Sequence, residues 1–182
     1  RAVLIYGTDL GLAHERVALL AKSIVEDLSD PFRVSKLTGS EIKSEPGRLI
    51  DEASAQSLIG GERVVLVRLG GEDISKPLLQ FLDENIQSSL VIMEAGDLAP
   101  RSPVRKLIEK SDNAATIACY SDDPSALSSL IDTVMRENQK SINSEAKDYL
   151  LTNLGSDRMV SRGELEKLIT YSGGKKEILL DD

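Results

Sequence analysis

The stretch YGTDLGLAHERVALLAK (6–22) places glycines at 7 and 11 ahead of a helical apolar pattern, and the apolar run AVLIY (2–6) leads into it. Strand, glycine turn and helix start, in that order, make a cradle for phosphate. The first amides of a helix have no intrahelical acceptor, and the helix dipole favours an anion there. A Walker-type loop adds a second glycine followed directly by Lys and then Ser or Thr, the lysine for the phosphates and the hydroxyl for magnesium. Here Gly11 is followed by Leu12, Ala13 and His14. A magnesium-holding acid is expected at the end of the next buried strand. RVVLVRL (63–69) puts Arg68 at that place, where it repels a divalent cation. Glu72 and Asp73 lie further out and read as a solvated loop pair. Two independent losses in one site argue against ATP turnover, so the chain is expected to be no enzyme and to carry no cofactor. Weak nucleotide binding on the Gly7 turn stays open.

The rest of the composition points the same way. A formal net charge of -8 does not favour gripping phosphates through an overall field. Hydrophobic content of 41% and charged content of 29% are those of a soluble globular protein, and 182 residues suffice for one domain with a sizeable core or for one core domain plus a small appendage. No apolar run reaches the ~18 residues that a membrane-spanning helix needs, and no signal peptide is visible. The lone Cys119, in the apolar run AATIACY, excludes an internal disulfide and a cysteine metal cluster, and reads as a buried core thiol. His14, the only histidine, reads as a surface helix residue. A reducing, cytoplasmic setting fits. Because Arg1 precedes AVLIY directly, the chain reads as a fragment trimmed at its N-terminus.

The elements that must position these residues alternate. Strands are expected at 2–6, 32–37, 63–69, 89–95 and 115–120, where β-branched and apolar residues concentrate. A helix from Ala13 carries Val17, Leu20, Ala21, Ile24 and Leu28 on one face. A second is expected to start at Pro46, bury Leu49, Ile50 and Ala53, and stop at Gly60 and Gly61. A third, near 76–87, carries Leu78, Leu79, Leu82 and Ile86; a fourth follows Ser102 and Pro103 with Val104, Leu107 and Ile108. Strand and helix in alternation predict parallel βαβ units, hence a three-layer α/β domain over 1–120.

No strand is expected after SDDP (121–124). Asp123 and Pro124 read as a cap and a first-turn proline for a helix bearing Leu127, Leu130, Ile131 and Val134. A helix over 144–154 follows, then one opened by SRGE (161–164), read as a capping box between Ser161 and Glu164. The fold class is therefore α/β: an AAA+-like three-layer parallel-sheet domain followed by a small helical lid domain over 121–182.

SAQSLIGGERVV (54–65) adds an oddity. With the helical phase set by Leu49, Ile50 and Ala53, Leu58 falls about 140° and Ile59 about 120° from the centre of the core stripe, on opposite sides. Two adjacent bulky apolar residues off the core face, just before two glycines, read as a projecting anchor. The alternative is that the last turn unwinds and tucks both under the sheet edge.

The chain resembles the delta subunit of bacterial DNA polymerase III clamp loaders. The resemblance rests on VLIYGTDLGL (3–12), SLIGGERVVLVR (57–68), VIMEAGDL (91–98) followed by RKLIEK (105–110), and above all LGSDRMVSRGELEKLITY (154–171). It implies an AAA+ module that no longer uses ATP and that opens the ring-shaped sliding clamp, while other loader subunits supply the nucleotide switch. It implies a clamp-binding wedge at Ser57, Leu58 and Ile59, where Ser-Leu-Phe is usual. Ser54 stands where some members carry a glutamine. The family's C-terminal collar domain, which joins the loader subunits, has no counterpart here, so a monomeric fragment poor at assembling is expected.

Two other classes are weighed against this. One is a degenerate P-loop ATPase or kinase. The other is a weak DNA contact through Arg101, Arg105, Lys106 and Lys110, for which the acidic net charge favours a solvated helix face instead.

Overall fold

The computed structural model describes residues 1–57, 60–84, 86–120, 124–155 and 157–181. It divides into two compact units, Arg1–Cys119 and Tyr120–Asp182.

In the first unit, β1 (Ala2–Tyr6), β2 (Val34–Thr38), β3 (Arg63–Arg68), β4 (Ser89–Ala95) and β5 (Ala114–Ala118) form one five-stranded sheet in the order β2-β3-β4-β1-β5. Every pairing is parallel. Successive side chains of a strand face opposite sides, and the two faces are sorted accordingly. Ile5, Val64 and Ile92 pack with Ala13, Val17 and Ala21 of α1 (Leu10–Lys22). Leu4, Tyr6, Val65, Val67, Val91 and Met93 face the other way. There they meet α2 (Gly39–Ser44), α3 (Arg48–Ser54), α4 (Ser75–Asp83) and α5 (Pro103–Lys110), through Ile42, Leu49, Ala53, Leu78, Phe81, Val104 and Ile108. Strands buried on both faces read as near-continuous apolar runs, as the central strands β1, β3 and β4 do, while the edge strands β2 and β5 are only partly buried. The layout is the α/β, AAA+-like one expected.

Two helical expectations need correction. α1 begins at Leu10, not Ala13, because the Asp9 carboxylate caps it, and it ends at Lys22; Ile24 and Leu28 reach the same core from the turn that follows. The helix expected from Pro46 to the Gly60–Gly61 pair is only the short α3, and a further short helix, α2, that was not expected precedes Pro46. α2 carries a capping box between Thr38 and Glu41. α3 stops at Ser54, where Ala55 turns extended with ψ 134°. The helical phase used to place Leu58 and Ile59 therefore does not apply to them.

The second unit holds α6 (Pro124–Glu137), α7 (Ser144–Asn153) and α8 (Arg158–Tyr171) around Leu130, Ile131, Val134, Met135 and Leu165. The expectation of no strand beyond 120 is corrected by a small parallel ladder of β6 (Ser141–Ile142) and β7 (Glu177–Ile178), which buries Ile178. Each strand is two residues long, too short to leave a period. The capping box at Ser161 is also corrected. Asp157 caps α8, accepting from the Met159 and Val160 amides. Ser161 is buried one turn in and donates to the Gly155 carbonyl at 3.0 Å, while Glu164 pairs with Lys167. Asp123 lies outside the described residues.

Candidate functional site

In open parallel sheets ligands sit beyond the C-terminal ends of the strands. Here the turn after β1 is only Gly7, Thr8 and Asp9 before α1 starts. The Asp9 side chain is buried and accepts from the Leu12 amide at 2.8 Å. A carboxylate of the chain itself thus occupies the helix N-terminus, where a phosphate would otherwise gain from free amides and the dipole. The Cys119 peptide closes the turn from the other side. Its amide donates to the Tyr6 carbonyl at 2.7 Å, and its carbonyl accepts from the Asp9 amide at 3.0 Å.

The adjoining strand ends continue the pattern. Arg68 at the end of β3 lies in register with Glu94 of β4, its Nε 3.9 Å from the carboxylate. His14 of α1 places Nδ1 3.7 Å from the same carboxylate and is itself exposed, as expected. A cation, Arg68, stands where a magnesium-holding acid would be, and the Asp9 carboxylate stands at the helix N-terminus where a phosphate would lie. The residues present do not fit a bound magnesium nucleotide. Among the described residues, no group of three or more His, Cys, Asp or Glu is placed to hold a metal ion.

Glu72 and Asp73 are not idle loop carboxylates. Glu72 accepts from the Gly70 amide at 2.8 Å and from Ser40 Oγ at 2.6 Å; Asp73 accepts from the Ser75 amide at 2.9 Å and from its hydroxyl. These bonds favour the charged forms, and both carboxyls are held below their ordinary values, Glu72 chiefly by Ser40 and Asp73 chiefly by Ser75. A lowered folded-state value contributes stability that is complete above the unfolded value and is lost as pH falls through the folded one. The stability of the native chain should therefore drop as pH is taken below the ordinary glutamate value of 4.5. The Glu72→Gln variant should show a shallower drop. Thermal melts of both chains at stepped pH check this, and parallel curves would contradict it.

The second place of interest is the connection from α3 to β3. Ser54, the last residue of α3, is exposed; Ser57 is half-buried; Leu58 and Ile59 lie outside the described residues. The Ser57 carbonyl accepts from the Gly60 amide at 3.2 Å, so the described chain on either side of that pair comes back on itself. Gln56, Gly60, Gly61 and Glu62 are all exposed. The structure thus brings Ser54 and Ser57 to one surface connection.

The basic helix is partly spoken for. Arg105 pairs with Glu109 at 2.7 Å, donates to the Leu98 carbonyl at 3.1 Å and lies 4.8 Å from the centre of the Tyr6 ring. Arg101, Lys106 and Lys110 are exposed. Cys119 is buried, as its apolar run implied.

Fold and site together define an AAA+-like α/β unit whose phosphate position is filled from within, followed by a small, mainly helical unit. In particular, the chain is similar to DNA polymerase III delta subunits. It is 26% identical over 184 residues to a probable DNA polymerase III subunit delta of Rickettsia prowazekii, covering 100% of this chain and 54% of that protein. It is 25% identical over 190 residues to DNA polymerase III subunit delta of Bacillus subtilis, covering 98% and 54%. Among solved structures, the Bacillus subtilis DNA clamp loader delta protein matches with a TM-score of 0.70 at 20% identity, over 99% of this chain and 56% of that one. A DNA polymerase III gamma subunit-related protein of Thermotoga maritima matches with a TM-score of 0.53 at 13% identity, over 92% and 53%. The chain therefore spans about half the length of the curated relatives it matches. No protein-family model matches it. No helix among the described residues is long and apolar enough to cross a membrane.

Sequence reading missed Asp9 as a plug and missed that Arg63 donates to the Glu52 and Ala55 carbonyls at the end of α3. The first had a local signal, an aspartate three residues before an amide at a helix start. The second had none.

Proposed function

We propose that this chain is the clamp-binding half of a clamp-loader delta subunit, acting in bacterial DNA replication in the cytoplasm as a non-catalytic part of the DNA polymerase III holoenzyme. Residues 1–120 form the α/β body and 121–182 the lid. Leu58 and Ile59, flanked by Ser57 and Ser54, enter an apolar pocket on the sliding clamp, and the chain opens the ring. It can do so only by binding the open ring more tightly than the closed one, since a ligand shifts an equilibrium by no more than its differential affinity. Other loader subunits supply the nucleotide switch.

What carries this reading is similarity to delta subunits along the whole chain, on a fold whose phosphate position is taken by Asp9. The test is a calorimetric titration of the cognate sliding clamp into the chain, with and without magnesium ATP, beside a phosphate-release assay. Saturable binding that is indifferent to nucleotide, with no phosphate release, is expected. Absence of binding would overturn the clamp role. Turnover that follows the protein through purification would favour a degenerate P-loop ATPase or kinase instead.

A further inference from the structure

Arg63 opens β3 and is 7% exposed. A buried guanidinium is costly to desolvate unless its donors are used, and the partners of this one all lie in one region. Nε donates to the Phe32 carbonyl at 3.1 Å. Nη1 donates to the carbonyls of Glu52 at 2.9 Å and Ala55 at 3.3 Å. Nη2 stands 3.6 Å from the Glu52 carboxylate. The last carbonyls of a helix lack intrahelical donors, and a cation suits that end of the dipole. The Ala53 carbonyl is taken as well, by the hydroxyls of Ser88 at 2.9 Å and Ser89 at 2.8 Å. The end of α3 is thus fixed by side chains from two other strand starts.

The far end of the connection is held by a second arginine. Arg33 donates from Nε and Nη2 to the Glu62 carbonyl at 3.2 and 3.1 Å, and from Nη2 to the Ile24 carbonyl at 3.0 Å. Its guanidinium lies flush on Gly61, where a Cβ would come within 3.0 Å of Nη2 and where φ is +83°.

We infer that Arg63 and Arg33 are positioning residues for partner binding. They order the described residues 55–57 and 60–62 on either side of the Leu58–Ile59 pair before the partner arrives, so that less conformational freedom is lost on docking. This rests on the wedge reading of the same connection given above, and it adds the device that presents the wedge.

The test is a mutant cycle on the whole chain, with binding of the cognate sliding clamp measured by calorimetry. Arg33→Ala, and separately Arg63→Lys, which keeps the charge but loses the planar fork, should each weaken binding roughly tenfold through lost pre-ordering. On a Leu58→Ala background the same changes should weaken it by much less, since groups that act as a unit are non-additive. Hydrogen exchange of the free chain gives a second readout. In Arg33→Ala the amides of residues 60–62 should exchange faster, while those of β3 and β4 stay protected. Arg63 is buried, so if its variant does not fold, the Arg33 arm decides. Equal weakening on both backgrounds, or unchanged exchange at 60–62, would overturn the inference while leaving the wedge intact. If Leu58→Ala binds as tightly as the native chain, the wedge reading fails, and the inference is overturned with it.

Discussion

The double variant Leu58→Ser, Ile59→Ser should lose most of its hold on the sliding clamp and keep its melting temperature. Two aliphatic side chains that leave water completely contribute about 1.5–3 kcal/mol each. Central anchors carry a disproportionate share of an interface, so a loss of roughly 2–4 kcal/mol is expected, which is about 30- to 1,000-fold in affinity. The stability side no longer rests on helical phase, because α3 ends at Ser54. It rests on position. The pair lies in the connection whose described neighbours Gln56, Gly60 and Gly61 are exposed. A pair that was core instead would leave a cavity and cost several kcal/mol of folding stability. Calorimetry with the clamp and a thermal melt of the free chain, on the same preparation, separate the two readings. Unchanged affinity with a large fall in melting temperature would reverse the assignment.

The sheet was legible because its three central strands, β1, β3 and β4, are near-continuous apolar runs buried on both faces. The end of α3 was not, because no glycine or proline stops it at Ser54. What stops it is Arg63, together with Ser88 and Ser89, reaching its carbonyls from 8 to 36 residues away. Such contacts leave no local mark. α2 is the opposite case. Its Thr38 and Glu41 carry the capping pattern in plain order, but with Ile42 as its one buried bulky residue there is no apolar stripe to draw attention. Ser161 and Glu164 show that the same pattern is only a candidate, since Asp157, a turn earlier, takes the cap. At the Gly7 turn the shape of a phosphate loop obscured a plainer reading of Asp9, as the cap of a helix that starts at once.

Gly7→Ala should be the most damaging single change in the first unit, for a reason unrelated to nucleotides. In a working phosphate loop, glycine is needed so that the backbone can approach the ligand. Here Gly7 sits at φ +150°, and a Cβ on it would lie 1.8 Å from the Cys119 carbonyl oxygen and 2.5 Å from its carbon. That carbonyl cannot move aside cheaply, because it accepts from the Asp9 amide while the amide of the same residue donates to Tyr6. Overlap with hydrogen-bonded backbone where β1 and β5 end belongs with the severest point changes, so a loss of about 4 kcal/mol or more is expected. For a chain of this size that is a fall of roughly 8–16 °C in melting temperature. Gly96 supplies the control. Its carbonyl accepts from the Gly7 amide at 3.2 Å, yet an added Cβ would meet nothing within 4 Å. Gly96→Ala should therefore stay within about 0.5 kcal/mol of the native chain. The two variants, melted with and without magnesium ATP, separate the two uses of a glycine. If Gly7 serves only to let the Cys119 strand end close over Asp9, its replacement lowers the melting temperature and nucleotide rescues nothing. A Gly7→Ala chain that melts like the native one but has lost nucleotide-dependent stabilisation would mean that the turn still serves a phosphate.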